Sequence, residues 1–288
     1  MTIRSLVVGG TSGIGYAMAC RVAASTAATD TVLISGRTKP ADLPHANMEF
    51  RPLDASSMRQ IKHYTDALKS ALPPPKLDLL IMTQGIMTTA PRTEVPGEGI
   101  DRKMAIHYYG KQLLIRELLP VLSESARVVI VYDGKLGSPS KLLWEDLDLK
   151  THFTLGRAAD HCISMMDAMV QWWAGATASR LGGRPHFVHA FPGGVNTNLL
   201  REVVPSYLQG VVRGLGNVFL TAPETCAQRL LDGAERCAVE GAKEGRFWSN
   251  IDSKGGLYRN KAVWSEEQLA RVSEHTWKLV DATLQAEG

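Results

Sequence analysis

The chain lacks most of the features that mark a specialised environment. Its four cysteines, Cys20, Cys162, Cys226 and Cys237, show no metal-type pairing in 288 residues. Three of them fall on helical patterns, so reduced thiols in a cytosolic protein are expected rather than a zinc site or a disulfide framework. No apolar run approaches the length of a membrane span. The chain enters a strand almost at once (IRSLVVGG), which leaves no room for a cleaved leader. There is no block of one charge either: 32 basic residues against 29 acidic ones give a net +3. The basic residues are scattered and do not interleave with aromatics, so neither nucleic acid nor a membrane surface is an expected partner. Internal repeats, low-complexity tracts and linkers are also missing, and a single domain over 1–288 is the economical reading.

What is present is a regular alternation. Short β-branched runs at 5–9, 31–36, 48–54, 77–82, 127–132 and 186–191 are separated by longer stretches with apolar residues near 3.6-residue spacing. The strand runs are continuously apolar, which suits a sheet covered on both faces. With alternating helices this predicts an α/β fold, a doubly wound parallel sheet with right-handed crossovers. PPP at 73–75 and GG at 182–183 punctuate the pattern between elements. Beyond residue 198 the patterns weaken. A helical LREVVPSYLQGVVRGLG and PETCAQRLLDGA come first, then a loop GRFWSNIDSKGGLYR and a terminal helix SEEQLARVSEHTWKLVDATL.

The first strand runs directly into VGGTSGIGYAMA. Gly9, Gly13 and Gly15 have the spacing that turns a backbone sharply, admits a pyrophosphate and packs a helix on the strand. The helix N-terminus would then present free N–H groups to the phosphates. The second strand ends in SGR, where a ribose-reading residue belongs. A carboxylate there would bind a 2′-hydroxyl; Arg37 instead offers a guanidinium to a 2′-phosphate, which favours NADP(H) over NAD(H).

These motifs resemble those of the short-chain dehydrogenase/reductase superfamily over residues 1 to about 200. GGTSGIG, with Thr11, Ser12 and Ile14 between its glycines, is similar to the family's TGxxxGIG, with Val8 in place of the threonine. Asp54 in RPLDAS sits like the acidic residue that contacts adenine. MTQG at 82–85 resembles NNAG and retains only Gly85. PGGVNT, from Pro192 and Gly193 through Val195 to Thr197, resembles the segment that holds the nicotinamide carboxamide. The resemblance implies a single Rossmann domain: a cofactor-binding and catalytic core over 1–200, then a substrate lid and C-terminal helices over 198–288. It also implies a possible homodimer, since two family helices commonly form a four-helix contact.

The family's chemistry uses Asn, Ser, Tyr and Lys, and here the resemblance fails. His107 in AIHYYG stands for the asparagine. Tyr132 and Asp133 replace a pair of serines, with Asp133 on the substrate-orienting one. The YxxSK segment must be placed on AADHCISMMDAM. Aligning the serine puts His161 on the tyrosine, keeps Ser164 and puts Met165 on the lysine. Counting back from PGG gives Cys162 and Met166 instead. The first register is preferred because it preserves a hydroxyl. In either, methionine replaces lysine and carries no charge. With an unperturbed pKa near 6.5, His161 could move a proton without a lysine, with Asp133 orienting its ring if the two are close. Cys162 lacks a base or positive field to make it a nucleophile. Tyr108, Tyr109 and Tyr132 remain candidates for a relocated hydroxyl.

The expected activity is an NADP(H)-dependent oxidoreductase with a non-standard proton donor, acting on the carbonyl or alcohol of a bulky hydrophobic small molecule of secondary metabolism. The bulk and apolarity of the substrate follow from the apolar, glycine-broken segment after Thr197. The alternatives are a non-redox isomerase, dehydratase or cyclase that keeps NADP(H) structurally, and an NADP(H)-sensing partner protein. Trp172 and Trp173 lie too far along their helix to line the pocket and are expected in the core or an interface.

Overall fold

The computed structural model describes residues 2–71, 77–179, 184–197 and 220–286. Among these, β1 (Thr2–Val8), β2 (Asp30–Gly36), β3 (Met48–Pro52), β4 (Leu77–Met82), β5 (Leu122–Val131), β6 (His186–Ala190) and β7 (Trp248–Ile251) form one sheet in the order β3-β2-β1-β4-β5-β6-β7. Every pairing is parallel. The continuous apolar runs are explained by how they divide. In β1, Leu6 and Val8 enter the core on one face while Val7 enters the core on the other, and β2 splits Leu33 from Val32 and Ile34 in the same way. Period two sends alternate side chains to opposite faces, so a strand buried on both must be apolar throughout.

Helices α1 (Gly13–Ser25), α2 (Met58–Ala71), α3 (Arg102–Met104), α4 (Gly110–Leu118) and α5 (Leu155–Ala176) follow the strands, and two more close the chain: α6 (Pro223–Lys243) and α7 (Glu266–Gln285). Helix α1 packs with α6 on one face, whereas α2, α4 and α5 cover the other. A π-helical segment, Ala105–Tyr109, joins α3 to α4. Such wide turns put one extra residue into a helix and re-aim its side chains, often at a functional site. Here the re-aimed stretch contains His107. No helix among the described residues is long and apolar enough to cross a membrane.

Strand β7 corrects the sequence reading, which leaves GRFWSNID as a loop. Only four residues long and half polar, WSNI shows no apolar alternation. Its polar side chains are buried because partners distant in sequence satisfy them: Ser249 Oγ lies 2.8 Å from His186 Nε2, and Asn250 Nδ2 donates to Gly134 O and to the Asp167 carboxylate. The sequence reading at PPP, at GG 182–183 and over the 198–219 part of the lid falls outside the described residues.

Helix α7, started by a Ser265–Gln268 capping box, lies across the outer surface of α4 and α5. Tyr108 Oη meets Thr276 Oγ1 at 2.6 Å, Arg116 pairs with Asp281 at 2.7 Å, and Trp277 packs edge-on to Trp173. Trp173 therefore belongs to the core, and the half-buried Trp172 packs against it.

Candidate active site

The crevice opens at the C-terminal edge of the sheet beside β1 and β4, where the strand order reverses, the usual ligand position in doubly wound sheets. Gly9 (φ +82°) and Gly13 (φ +54°) adopt left-handed conformations that favour glycine. A side chain on Gly15 would run into the Gly9 carbonyl, so α1 can pack on β1 only without one. Ser12 precedes α1 with an extended backbone and makes no side-chain cap bond. The first-turn N–H groups of α1 are thus left uncapped beside the crevice. This is a cradle that suits a pyrophosphate.

Gly9, Thr11, Ser12, Gly13, Ile14, Gly15, Arg37, Asp54, Gly85 and Thr197 all line this crevice. Arg37 is exposed at its mouth and forms no hydrogen bond or ion pair among the described residues. Burial works against the Asp54 charge, but hydrogen bonds from the Ser56 hydroxyl and amide, with Arg102 and Arg37 nearby, hold the carboxyl below its ordinary range. Pro192 lines the neighbouring cavity instead. Gly193 (φ +72°) turns toward Ser253, and Val195 is buried in the core where it bridges to Thr221, so neither lines the crevice.

That neighbouring cavity, about 710 Å³, is walled largely by apolar side chains, among them Met87, Leu155, Ile163 and Phe191. Its polar side chains include Tyr132, Asp133, His107 and Lys103. Crevice and cavity share one wall: Ile14, Thr83, Gln84, Gly85 and Val131.

Two expected catalytic residues are not part of it. His161 is fully buried and faces away from the cavity; its Nε2 accepts from the Leu143 amide at 2.9 Å and its Nδ1 donates to Leu147 O at 3.1 Å. Both nitrogens are engaged, and burial pulls the imidazole below its ordinary pKa despite that bond to Leu147. This is a neutral histidine that anchors the 142–147 loop. Ser164 is also sealed, with Oγ accepting from the Ser138 amide. Helix α5 lends the cavity wall Leu155, Ala158, Ala159, Cys162 and Ile163, so of the two candidates for the tyrosine's position Cys162 lines the cavity and His161 does not. Burial pushes the Cys162 thiol up, which disfavours the thiolate. Met166 is sealed in the core, where its Sδ receives Gln112 Nε2 at 3.1 Å. Tyr108 and Tyr109 are also buried, with hydroxyls bonded to Thr276 and His275.

Three expected residues do come together. Tyr132 is half-buried and lines the cavity, and its hydroxyl has no hydrogen-bond partner among the described residues. Burial of the ring pushes its phenol well above the ordinary value. His107 stacks on this ring, its Nε2 lies 2.9 Å from Ile86 O and 3.3 Å from Ile86 N, and its Nδ1 is buried without a partner among the described residues. Burial, with Lys111 nearby, pulls its imidazole down to about 4. Asp133 lines the cavity too, but its Oδ1 accepts from the amides of Lys135 and Leu136, a turn-forming arrangement that keeps it apart from His161.

Two residues escaped the sequence reading. Lys111 is fully buried; its ammonium donates to Val131 O at 3.2 Å and lies 5.2 Å from the centre of the Tyr132 ring. Burial pulls it down to about 7. A lysine in the middle of the apolar GKQLLI, four residues after His107, was the available signal. The other is Gln84, in the shared wall, and MTQG was where the sequence departed from the expected NNAG.

A family profile described as short chain dehydrogenase matches residues 4–134. An oxidoreductase of Emericella nidulans, AN1596, is 34% identical over 216 residues, 71% of this chain and 62% of that protein. The matched stretch thus spans less than two thirds of that relative's length. The oxidoreductase andH of Emericella variicolor is 26% identical over 96% of this chain and 90% of its own. Among solved structures, a short chain dehydrogenase family protein from Francisella tularensis superposes with a TM-score of 0.59 at 18% identity, covering 88% of this chain and 98% of that one.

Proposed function

This chain belongs to the short-chain dehydrogenase/reductase superfamily, and from that premise we propose that it is an NADP(H)-dependent reductase of a bulky hydrophobic carbonyl compound of secondary metabolism, with Tyr132 as proton donor. The observation that carries the reading is the shared wall: the phosphate cradle and the apolar cavity meet at Ile14, Thr83, Gln84, Gly85 and Val131, with Tyr132 on the cavity side.

The cradle and the uncapped start of α1 would hold the pyrophosphate, Arg37 the 2′-phosphate and Asp54 the adenine side. When bound, the reduced cofactor supplies a hydride to the substrate carbonyl. Charge then develops on the carbonyl oxygen, and Tyr132 Oη transfers its proton there. Burial keeps this phenol protonated, ready to give a proton in the reductive direction. It also makes the phenol a weaker acid, so the donation needs a cation close to the ring. The phenolate it leaves lies in a buried setting, where an uncompensated charge is costly. The Lys111 ammonium beneath the ring offsets that charge, and phenolate formation in turn favours proton uptake by Lys111. Stacking by His107 fixes the ring plane.

The purified protein mixed with NADPH and a panel of hydrophobic ketones tests this. Consumption of one equivalent of NADPH per alcohol formed is the expected result. Product formation without NADPH consumption would instead support the non-redox reading, which draws on the replacement of the family's Tyr and Lys by the uncharged Cys162 and Met166.

A further inference from the structure

Gln84 is 7% exposed, and neither its Oε1 nor its Nε2 has a hydrogen-bond partner among the described residues. Buried amides are nearly always paired, because sealing one away from water without a partner is costly. Its position makes the omission specific. Gln84 follows β4 in the wall shared by crevice and cavity, and its backbone amide packs so closely on Gly9 that a side chain at Gly9 would collide with it. The wall has one other polar side chain, Thr83, whose hydroxyl already donates to Gly9 O at 3.1 Å. The amide of Gln84 is therefore the hydrogen-bonding group left over at the junction.

Its chemistry narrows the ligand. A carboxamide offers two donors and one acceptor. A phosphate accepts only and would face Oε1 unfavourably, and a ketone in the apolar cavity also only accepts. A group that both donates and accepts is needed, and vicinal hydroxyls of a sugar do both. In a dinucleotide that runs from the phosphate cradle into the cavity, the part at this junction is the ribose bearing the nicotinamide. No charged side chain reaches that ribose from α5, where Met166 is sealed in the core. We propose that Gln84 hydrogen-bonds the nicotinamide-side ribose of the bound cofactor, from the sheet side. This rests on the dinucleotide reading above.

The test is equilibrium binding of NADPH and of 2′,5′-ADP, which lacks the nicotinamide ribose, to the wild type, Gln84→Leu and Gln84→Ala, together with thermal midpoints of the unliganded proteins. Both variants are expected to bind NADPH about tenfold more weakly, the loss of two neutral hydrogen bonds, and 2′,5′-ADP unchanged. The unliganded Gln84→Leu protein is expected to melt no lower than wild type, because it removes a buried unpaired amide. Unchanged NADPH affinity in the variants overturns the inference, and so does an equal loss for both ligands, which would make Gln84 a support of the cradle. Should Gln84→Leu fail to fold, Gln84→Ala decides the same question. Failure of the wild type to bind either ligand overturns the dinucleotide reading itself, a result distinct from the other two.

Discussion

The imidazole of His107 stacks on the phenol of Tyr132, with ring centroids 4.8 Å apart and planes inclined by 21°. The pair joins the π-helical segment before α4 to the end of β5, and both residues line the cavity. Tyr132→Phe keeps the ring and removes the proton. It is expected to lower kcat for ketone reduction by about a hundredfold or more, with NADPH affinity unchanged in a binding titration. His107→Phe keeps the stack and should cost far less than His107→Ala.

His161 provides the counter-test. Replacing it with leucine removes the acceptor for the Leu143 amide and the donor to Leu147. Urea unfolding should show a loss of about 1–3 kcal/mol, while kcat in the folded variant stays within about threefold of wild type. A loss of turnover as large as that of Tyr132→Phe would return His161 to the catalytic step.

Lys111 should leave a mark on the pH dependence of stability. Its pKa is about 7 in the folded protein against 10.5 unperturbed. Between those values the unfolded chain binds the extra proton, so stability rises with pH across this window, by at most about 1.4 kcal/mol per pH unit. Below about pH 7 both states are protonated and the cost of burying the charge is complete. Lys111→Met should flatten the rise in urea midpoints between pH 7 and 10 and be the more stable protein at pH 7. Its kcat should fall about tenfold if the ammonium supports the Tyr132 phenolate.

Behind the cavity, Asp167 is fully buried between three partners. His189 Nδ1 lies 2.5 Å from Oδ1, Asn250 Nδ2 donates to the same oxygen at 2.6 Å, and Lys261 pairs with Oδ2. Lys261 and Asn250 also donate to the carbonyls of Lys135, Gly137 and Gly134, so the network holds the turn that carries Asp133. Lys261→Met leaves a buried carboxylate without its cation and should cost about 3–5 kcal/mol. Adding Asp167→Asn should recover part of that loss in a double-mutant cycle by urea unfolding.

Cofactor choice follows from Arg37. Arg37→Ala is expected to weaken NADPH binding by about tenfold to a hundredfold and leave NADH binding nearly unchanged. Titration with both cofactors checks this. Equal effects on the two would remove Arg37 from 2′-phosphate recognition.

The sequence alone determined six of the seven strands, the glycine turn after β1 and the family. Those rest on local rules: period-two burial in strands such as β1 and β2, and glycines at 9, 13 and 15 whose backbone demands can be read from spacing. It also showed that lysine is missing from the expected position. It could not say whether His161 or Cys162 faces the cavity, because a shift of one position rotates a helical side chain by about 100° and each register had its own argument from spacing. Tertiary packing decided that Cys162 lines the wall and that the loop at 142–147 takes up His161. Lys111 and Gln84 became visible only there as well, since a buried charge or amide is defined by what surrounds it. The same holds for β7, whose polar residues are inside because His186 and Asp167 meet them.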